Sequence, residues 1–436
     1  MRDAAVKFIY VFALLTIGFA MPAQAQDVQP SPAFTQRAGE LAAIVNGSGD
    51  MEDFFAPSFL AQVPRAQMAA LSAQIVAQQG QAGEASAYRM STPYQGQFDL
   101  KFDKAIGEVR MTVNADAPNQ VIGLLITGFR TDNDSIAAVK AAFAALPGRK
   151  GFTIAHLTDQ GPVTVADYNG SQLLGLGSSF KLYILAELAD EIVAGERQWS
   201  DVVTLDRKSF PSGVMQSWPP GSPVTLATLA TQMISISDNS AADMLLHVLG
   251  RERVEARLAK IGHSDPAAIL PFLSTVEAFA LKMDGNADLR ARFMAASEAQ
   301  QRDLLAQNQG KLTLGNIDIT QLAGAPRFVE QIEWPAAPHD VVALLDHLRV
   351  VDAPLARQIM AVNPGLGAAD SGRWDYLGFK GGSEPGVMHF AWLACTANED
   401  CYAVVGGWTD PDKDIDKQKF TMLMSRLLAL AHPEAE

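Results

Sequence analysis

Ser178-Ser179-Phe180-Lys181, Ser237-Asp238-Asn239 and Lys380-Gly381-Gly382-Ser383 follow one another in this order, and their reading decides the fold of most of the chain. After Leu176-Gly177, the residues Leu182, Leu185, Leu188, Ala189 and Ile192 keep a helical period up to Gly195,. Ser178 therefore stands at a helix start, with Lys181 one turn along the same face. A serine hydroxyl is a poor nucleophile without a neighbouring base. A lysine can be that base if burial and a second cation lower its pKa. Backbone N–H groups at a helix start favour developing negative charge. A serine N-cap beside a solvated lysine would give the same four residues, so this motif alone decides little.

Ser237-Asp238-Asn239 falls between a helix read from Thr225 to Ile234 and another from Ala241 to Leu249. There Ser237 can relay a proton between a leaving nitrogen and the lysines, and Asn239 can hold a substrate amide. Ordinary turn chemistry also favours these residue types. Trp374 to Phe379 reads as a short strand that presents Lys380 as a second cation. Gly381 and Gly382 permit close backbone approach. The N–H of Ser383, with that of Ser178, can form an oxyanion hole beside Gly382.

Order and setting together make the three motifs resemble the S-x-x-K, S-D-N and K-[ST]-G elements of serine β-lactamases and penicillin-binding proteins. Pro211-Ser212-Gly213-Val214, Trp218-Pro219-Pro220-Gly221, Val224-Thr225-Leu226 and Met233-Ile234-Ser235-Ile236 are similar to the class A pattern in its usual order. The resemblance covers about residues 150 to 436. It implies an acyl-enzyme hydrolase in which Ser178 attacks, Lys181 and Ser237 move protons, and Lys380 and Asn239 orient the substrate. β-Lactams or related cyclic amides and esters are the implied substrates. A penicillin-binding or esterase-like protein with slow or no β-lactam turnover is the alternative.

The pattern departs from the family in three places. The Glu-x-x-Leu-Asn segment that supplies the deacylating glutamate of class A enzymes is missing. The stretch between Ser237 and Pro338-His339-Asp340-Val341 is longer than usual, and Glu277 and Glu333 are its nearest carboxylate candidates. Gly381 replaces the usual Ser or Thr, and Asp243 stands where Asn is frequent.

Before this region, helices read at Thr35–Val45, Met51–Phe55 and Arg65–Gln79 precede four strand-like runs between Ala85 and Phe129,. That order resembles the cone-like fold of nuclear transport factor 2 and the ketosteroid isomerases. Asp99 and Asp103 in this part read as outward strand charges. The expected fold class is α+β: a small α+β cone-like domain over residues 26–147, then a β-lactamase/transpeptidase-like domain over 148–436. The second has an antiparallel sheet, built from both ends of the domain, and a helical subdomain. Pro147-Gly148 is the expected boundary.

Arg2 and Lys7 before the apolar run Phe8–Met21, then Ala23-Gln24-Ala25, read as a signal peptide over residues 1–25,. Export to the periplasm or the medium is expected. Cys395 and Cys401 flank a hairpin turn and suit a disulfide in an oxidising compartment, with two free thiols as the other reading. Two cysteines without a nearby histidine do not make a zinc site, and no metal or other cofactor is expected. With 436 residues, two domains are natural,. A formal net charge of −14 argues against a nucleic-acid partner or an anionic membrane surface, leaving a small-molecule substrate,.

Overall fold

The structure is a computed structural model, and it describes residues 28–131, 134–367 and 371–433. The expected signal peptide lies outside the described residues. No helix among those described is long and apolar enough to cross a membrane.

The chain divides into two compact units after Phe129. In the first, α1 (Pro32–Val45), α2 (Met51–Phe54), α3 (Pro57–Gln62) and α4 (Arg65–Gln79) precede a four-stranded meander. Its strands are β1 (Ala82–Thr92), β2 (Gln95–Phe102), β3 (Ile106–Val113) and β4 (Val121–Arg130), in sequential order. Ser31 caps α1 by accepting from the Phe34 N–H,. Phe34, Ala38, Leu41 and Val45 form one stripe of that helix, and Phe98, Leu100 and Phe102 alternate along β2,. The two patterns meet in one core. Asp99 accepts from Arg89, and Asp103 accepts from the Gln81 N–H, so both carboxylates serve the sheet.

The second unit begins earlier than Gly148. Its first helix, α5 (Ile136–Ala144), buries Val139 and Phe143, and Phe143 packs against Phe152 and Phe420. Residues that bury their apolar face here belong to this core, which moves the boundary ahead of Pro147-Gly148.

A five-stranded antiparallel sheet centres the unit, in the order β11 (Tyr376–Glu384), β12 (Val387–Cys395), β13 (Cys401–Thr409), β5 (Arg149–Thr158) and β6 (Gly161–Tyr168). Strands from both ends of the unit thus share one sheet, as the sequence pattern leads one to expect. Phe152, Ile154, Trp392 and Val404 face α5 and the last helix, α15 (Lys417–Leu430). Ala155, Leu157, Ala391, Leu393, Ala403 and Val405 face the helical layer on the other side. Cys395 and Cys401 pair in register where β12 meets β13, and they are disulfide-bonded.

The helical layer holds α6 (Lys181–Val193), α7 (Leu226–Ser235), α8 (Asn239–Leu249), α9 (Arg251–Ile261), α10 (Thr275–Lys282), α11 (Ala287–Ala295), α12 (Glu298–Gln307), α13 (Pro338–Val350) and α14 (Pro354–Ala361). α6 is buried almost all round: Leu182, Leu185, Leu188 and Ala189 are inaccessible. At about 1.5–3 kcal/mol per large apolar side chain, this burial holds the helix that carries Lys181. Two-stranded ladders tie the layer together, β7 (Leu174–Gly175) with β10 (Pro335–Ala336) and β8 (Val202–Thr204) with β9 (Pro223–Thr225).

Candidate active site

Ser178 lies in a tight 3-10 turn, Gly177–Phe180, that runs straight into α6. Gly177 sits at φ +47°, where an added Cβ would stand 2.8 Å from the Ser383 nitrogen. Gly382, across the gap, is tighter still: a Cβ there would lie 2.0 Å from the Leu176 oxygen and 2.4 Å from the Ser178 nitrogen. These two glycines let the turn and β11 approach backbone to backbone. The Ser178 and Ser383 nitrogens are thereby brought to neighbouring positions on the two segments, a precondition for a shared oxyanion hole,.

Lys181 is wholly buried at the start of α6. Its Nζ lies 2.6 Å from the Ser237 carbonyl oxygen, 2.6 Å from Asn239 Oδ1 and 3.2 Å from Ser237 Oγ. Carbonyl and amide oxygens only accept, so they take two N–H bonds. The third position faces a hydroxyl, which can donate to a neutral amine. Burial lowers the Lys181 pKa well below the usual lysine value, and the Lys380 charge lowers it further,. Lys380 is also buried, and burial brings its pKa down to about 7. Its Nζ donates to Ser237 Oγ at 3.1 Å and to the Gly381 oxygen at 2.6 Å. Two lysines thus converge on one serine hydroxyl.

Ser237 has φ +59°, a left-handed conformation uncommon outside glycine that costs about 1–3 kcal/mol,. Its carbonyl oxygen, turned to Lys181, also accepts from Ser212 Oγ at 2.6 Å. Asp238 caps α8 through the Ala241 N–H and takes the Val214 and Met215 N–H groups on its other oxygen. The helix therefore starts at Asn239, two residues before the Ala241 start expected from periodicity, because Asp238 supplies the cap,. Asn239 donates through Nδ2 to the Phe210 oxygen at 2.7 Å. With Oδ1 on Lys181, its first task is to hold the lysine, and one N–H is left for a ligand.

Gly381 has a physical reason. A Cβ there would meet the Phe379 ring at 2.7 Å and the Phe390 ring at 3.2 Å. These rings stack with Trp392 at the sheet surface and fill the space the usual Ser or Thr would take.

The two carboxylates expected as deacylation candidates separate sharply. Glu277 lies bidentate on Arg251, at 2.7 and 2.8 Å, and completes the capping box of α10 with Ser274. Glu333 lines the cavity that contains Ser178. Its Oε1 accepts from the Gly177 N–H at 2.8 Å, while the buried Oε2 has no hydrogen-bond partner. Burial raises its pKa well above the ordinary carboxylate value, and the nearby Glu384 charge adds to the rise,. That cavity, of about 20 Å³, is also lined by Asn239, Thr275, Phe279, Trp334, Ser383 and Glu384. It has room for a single water. A larger cavity, about 400 Å³, lies on the first unit's sheet around Gln97, Arg110 and Thr112, but it holds no nucleophile–base pair. Ser178 and Glu333 line the small one.

Sequence reasoning singled out Asp243 only as a departure from the family pattern, and it missed Lys282, Glu384 and Trp334. Asp243 accepts from the Thr275 N–H and Oγ1 and from the Val276 N–H, anchoring α10 to α8; burial raises its pKa to about 6. Lys282 and Glu384 form a buried ion pair at 2.6 and 2.7 Å beside Glu333. Trp334 stacks on Phe180, with ring centroids 4.0 Å apart, and closes the cavity wall. Among the described residues no cluster of three or more His, Cys, Asp or Glu could hold a metal ion.

Comparison with solved structures gives a β-lactamase from Sphaerobacter thermophilus at 22% identity, covering 69% of this chain and 98% of that one, with a TM-score of 0.47. PBP-A aligns at 16% identity, 67% and 93% coverage, and a TM-score of 0.47. A β-lactamase from Chitinophaga pinensis aligns at 14% identity, 68% and 96% coverage, and a TM-score of 0.46. No curated protein matches the chain in sequence. Residues 134–321 match the model of the β-lactamase enzyme family. That stretch carries the Gly177–Phe180 turn, α6 and the Ser237-Asp238-Asn239 turn, so the similarity to this family falls on the part of the second unit that holds the candidate site.

Proposed function

We propose that the protein is an exported serine hydrolase that forms an acyl-enzyme on Ser178 with β-lactams or related cyclic amides and esters. The convergence of Lys181, one turn after Ser178, and Lys380 on Ser237 Oγ carries this reading. Ser178 Oγ attacks the carbonyl carbon as its proton passes to the neutral Lys181 amine. The carbonyl oxygen becomes an oxyanion held by the Ser178 and Ser383 N–H groups. The carbon–nitrogen or carbon–oxygen bond then breaks, and Ser237 Oγ–H gives the leaving atom its proton, resupplied from the lysines. Lys380 offers positive charge to a substrate carboxylate, and the free N–H of Asn239 meets an acyl amide. Glu333, once ionised, takes a proton from water as that water attacks the ester carbonyl; the bond from that carbon to Ser178 Oγ then breaks, and Lys181 returns the proton to Ser178 Oγ.

Slow turnover, as in a penicillin-binding or esterase-like protein, is favoured by the environment of Glu333. Burial and the Glu384 charge disfavour the ionised form of this carboxyl, and only the ionised form can act as a base,. The first unit, whose order of elements resembles that of cone-like folds, serves as a spacer or docking domain. The basic and apolar start of the chain supports export to the periplasm or medium,.

Incubation with a fluorescent penicillin, a chromogenic cephalosporin and an aryl ester tests the proposal. An adduct of Ser178 seen by mass spectrometry, lost in Ser178→Ala, is the expected result. Absence of any adduct or hydrolysis with all three would sink it.

A further inference from the structure

We propose that Lys282 is a positioning residue for the oxyanion hole, holding through Glu384 and Glu333 the two backbone segments that carry its N–H donors. The inference rests on the reading of Ser178 as nucleophile and extends it to a residue outside the three motifs.

Three contacts carry the argument. Lys282 Nζ binds both oxygens of Glu384, the residue that follows Ser383 on β11. The same Nζ lies 3.8 Å from Glu333 Oε2, whose partner oxygen holds the Gly177 N–H directly before Ser178. Between these segments stand the close approaches of Gly177 and Gly382, which carry no side chain to set the spacing, and one long hydrogen bond from Ser179 Oγ to the Lys380 oxygen at 3.3 Å. One ammonium therefore braces both donors from the same side.

The burial pattern fits a brace. The Lys282 side chain is 1% exposed and those of Glu333 and Glu384 are 3% and 12% exposed. Buried charges persist only when paired, and removing the Lys282 ammonium leaves the Glu384 carboxylate without its partner,. Lys282 in turn is fixed by the end of α10: its carbonyl oxygen accepts from Arg327, and Arg290 takes the Leu281 and Met283 oxygens. The long segment between α9 and α13 thus supplies a rigid support to the nucleophile's turn. Donors displaced by a fraction of an ångström lose most of their effect on the transition state.

The test compares Lys282→Met and Lys282→Arg with the unaltered full chain, using stopped-flow acylation by a fluorescent penicillin, or by an aryl ester if that is the better acyl donor. The expected result for Lys282→Met is a fall of about 10²-fold in the limiting acylation rate, with a half-saturation concentration near that of the unaltered chain. Lys282→Arg should recover part of the rate. A folded Lys282→Met variant that acylates at an unaltered rate, or that loses only affinity, overturns the proposal. If Lys282→Met does not fold, Glu384→Gln is read in the same way; if neither folds, the cluster is structural and the proposal is overturned. An unaltered chain that forms no adduct fails the Ser178 reading itself, a result distinct from adduct formation that Lys282→Met leaves untouched.

Discussion

Gly382 lies so close to Ser178 that a Cβ at residue 382 would stand 2.4 Å from the Ser178 backbone nitrogen. Backbone cannot give way as a flexible side-chain end can, so the turn or the strand would have to move. Gly382→Ala is expected to lower acylation by about 10²-fold or more. The overpacking should also cost about 1–3 kcal/mol in chemical denaturation. A variant that acylates at the unaltered rate would show that the two segments do not cooperate in catalysis.

Lys181 must be neutral to accept a proton, so acylation should rise with pH through its lowered pKa. Burial is the main cause of that lowering and the Lys380 charge the second. Lys380→Met removes the second cause, the Lys181 pKa rises, and the acid limb of the acylation profile moves to higher pH. The inflection near pH 7 expected from Lys380 itself should vanish in the same variant. Acylation rates measured across pH 5–10 at saturating substrate check both points (a range set by ordinary His-to-Lys titration). An unmoved acid limb would remove Lys181 as the base.

Glu333 and Glu277 should behave oppositely. Deacylation needs ionised Glu333, whose pKa is held high by burial and by Glu384, so adduct lifetime should shorten as pH rises. Glu333→Gln is expected to lengthen the lifetime by about 10²-fold or more at high pH. Glu277→Gln should leave it unchanged, because that carboxylate serves Arg251 and the start of α10. Mass-spectrometric decay of the adduct distinguishes them. Equal lifetimes in all three proteins would remove Glu333 from deacylation.

His389 is buried on β12, and neither ring nitrogen has a hydrogen-bond partner. Burial lowers its pKa from 6.5 to about 3. Between those values the unfolded chain binds a proton that the folded chain refuses. The contribution of this group to stability is therefore complete above pH 6.5 and is lost as pH falls toward 3,. The slope approaches about 1.4 kcal/mol per pH unit. His389→Leu should flatten the pH dependence of urea unfolding in that window, and an unchanged slope would assign acid sensitivity to other groups.

Much of the site was legible before any coordinates. Ser178 and Lys181 are three residues apart, and the apolar period of α6 makes their shared face a local property. Thr225 caps α7 and Asp238 caps α8, so the turn at Ser237 follows from nearby residues. The apolar runs of β11–β13 and the hairpin closed by Cys395 and Cys401 are equally local. The domain boundary was harder: Val139 and Phe143 read as an ordinary helix face, and only their packing partners assign α5 to the second core.

Local chemistry in the sequence determined which atoms can react: a serine at a helix start, two lysines, and glycines where backbones must touch. Tertiary structure decided what those atoms can do. Burial sets the lysine and Glu333 pKa values, and burial depends on residues distant in the chain. The choice between Glu277 and Glu333 was beyond sequence because Arg251 neutralises one and Gly177 recruits the other across 156 positions. Lys282 escaped notice for the same reason: its partner is 102 residues away, and a buried charge has no local signature until its counter-charge is in place,.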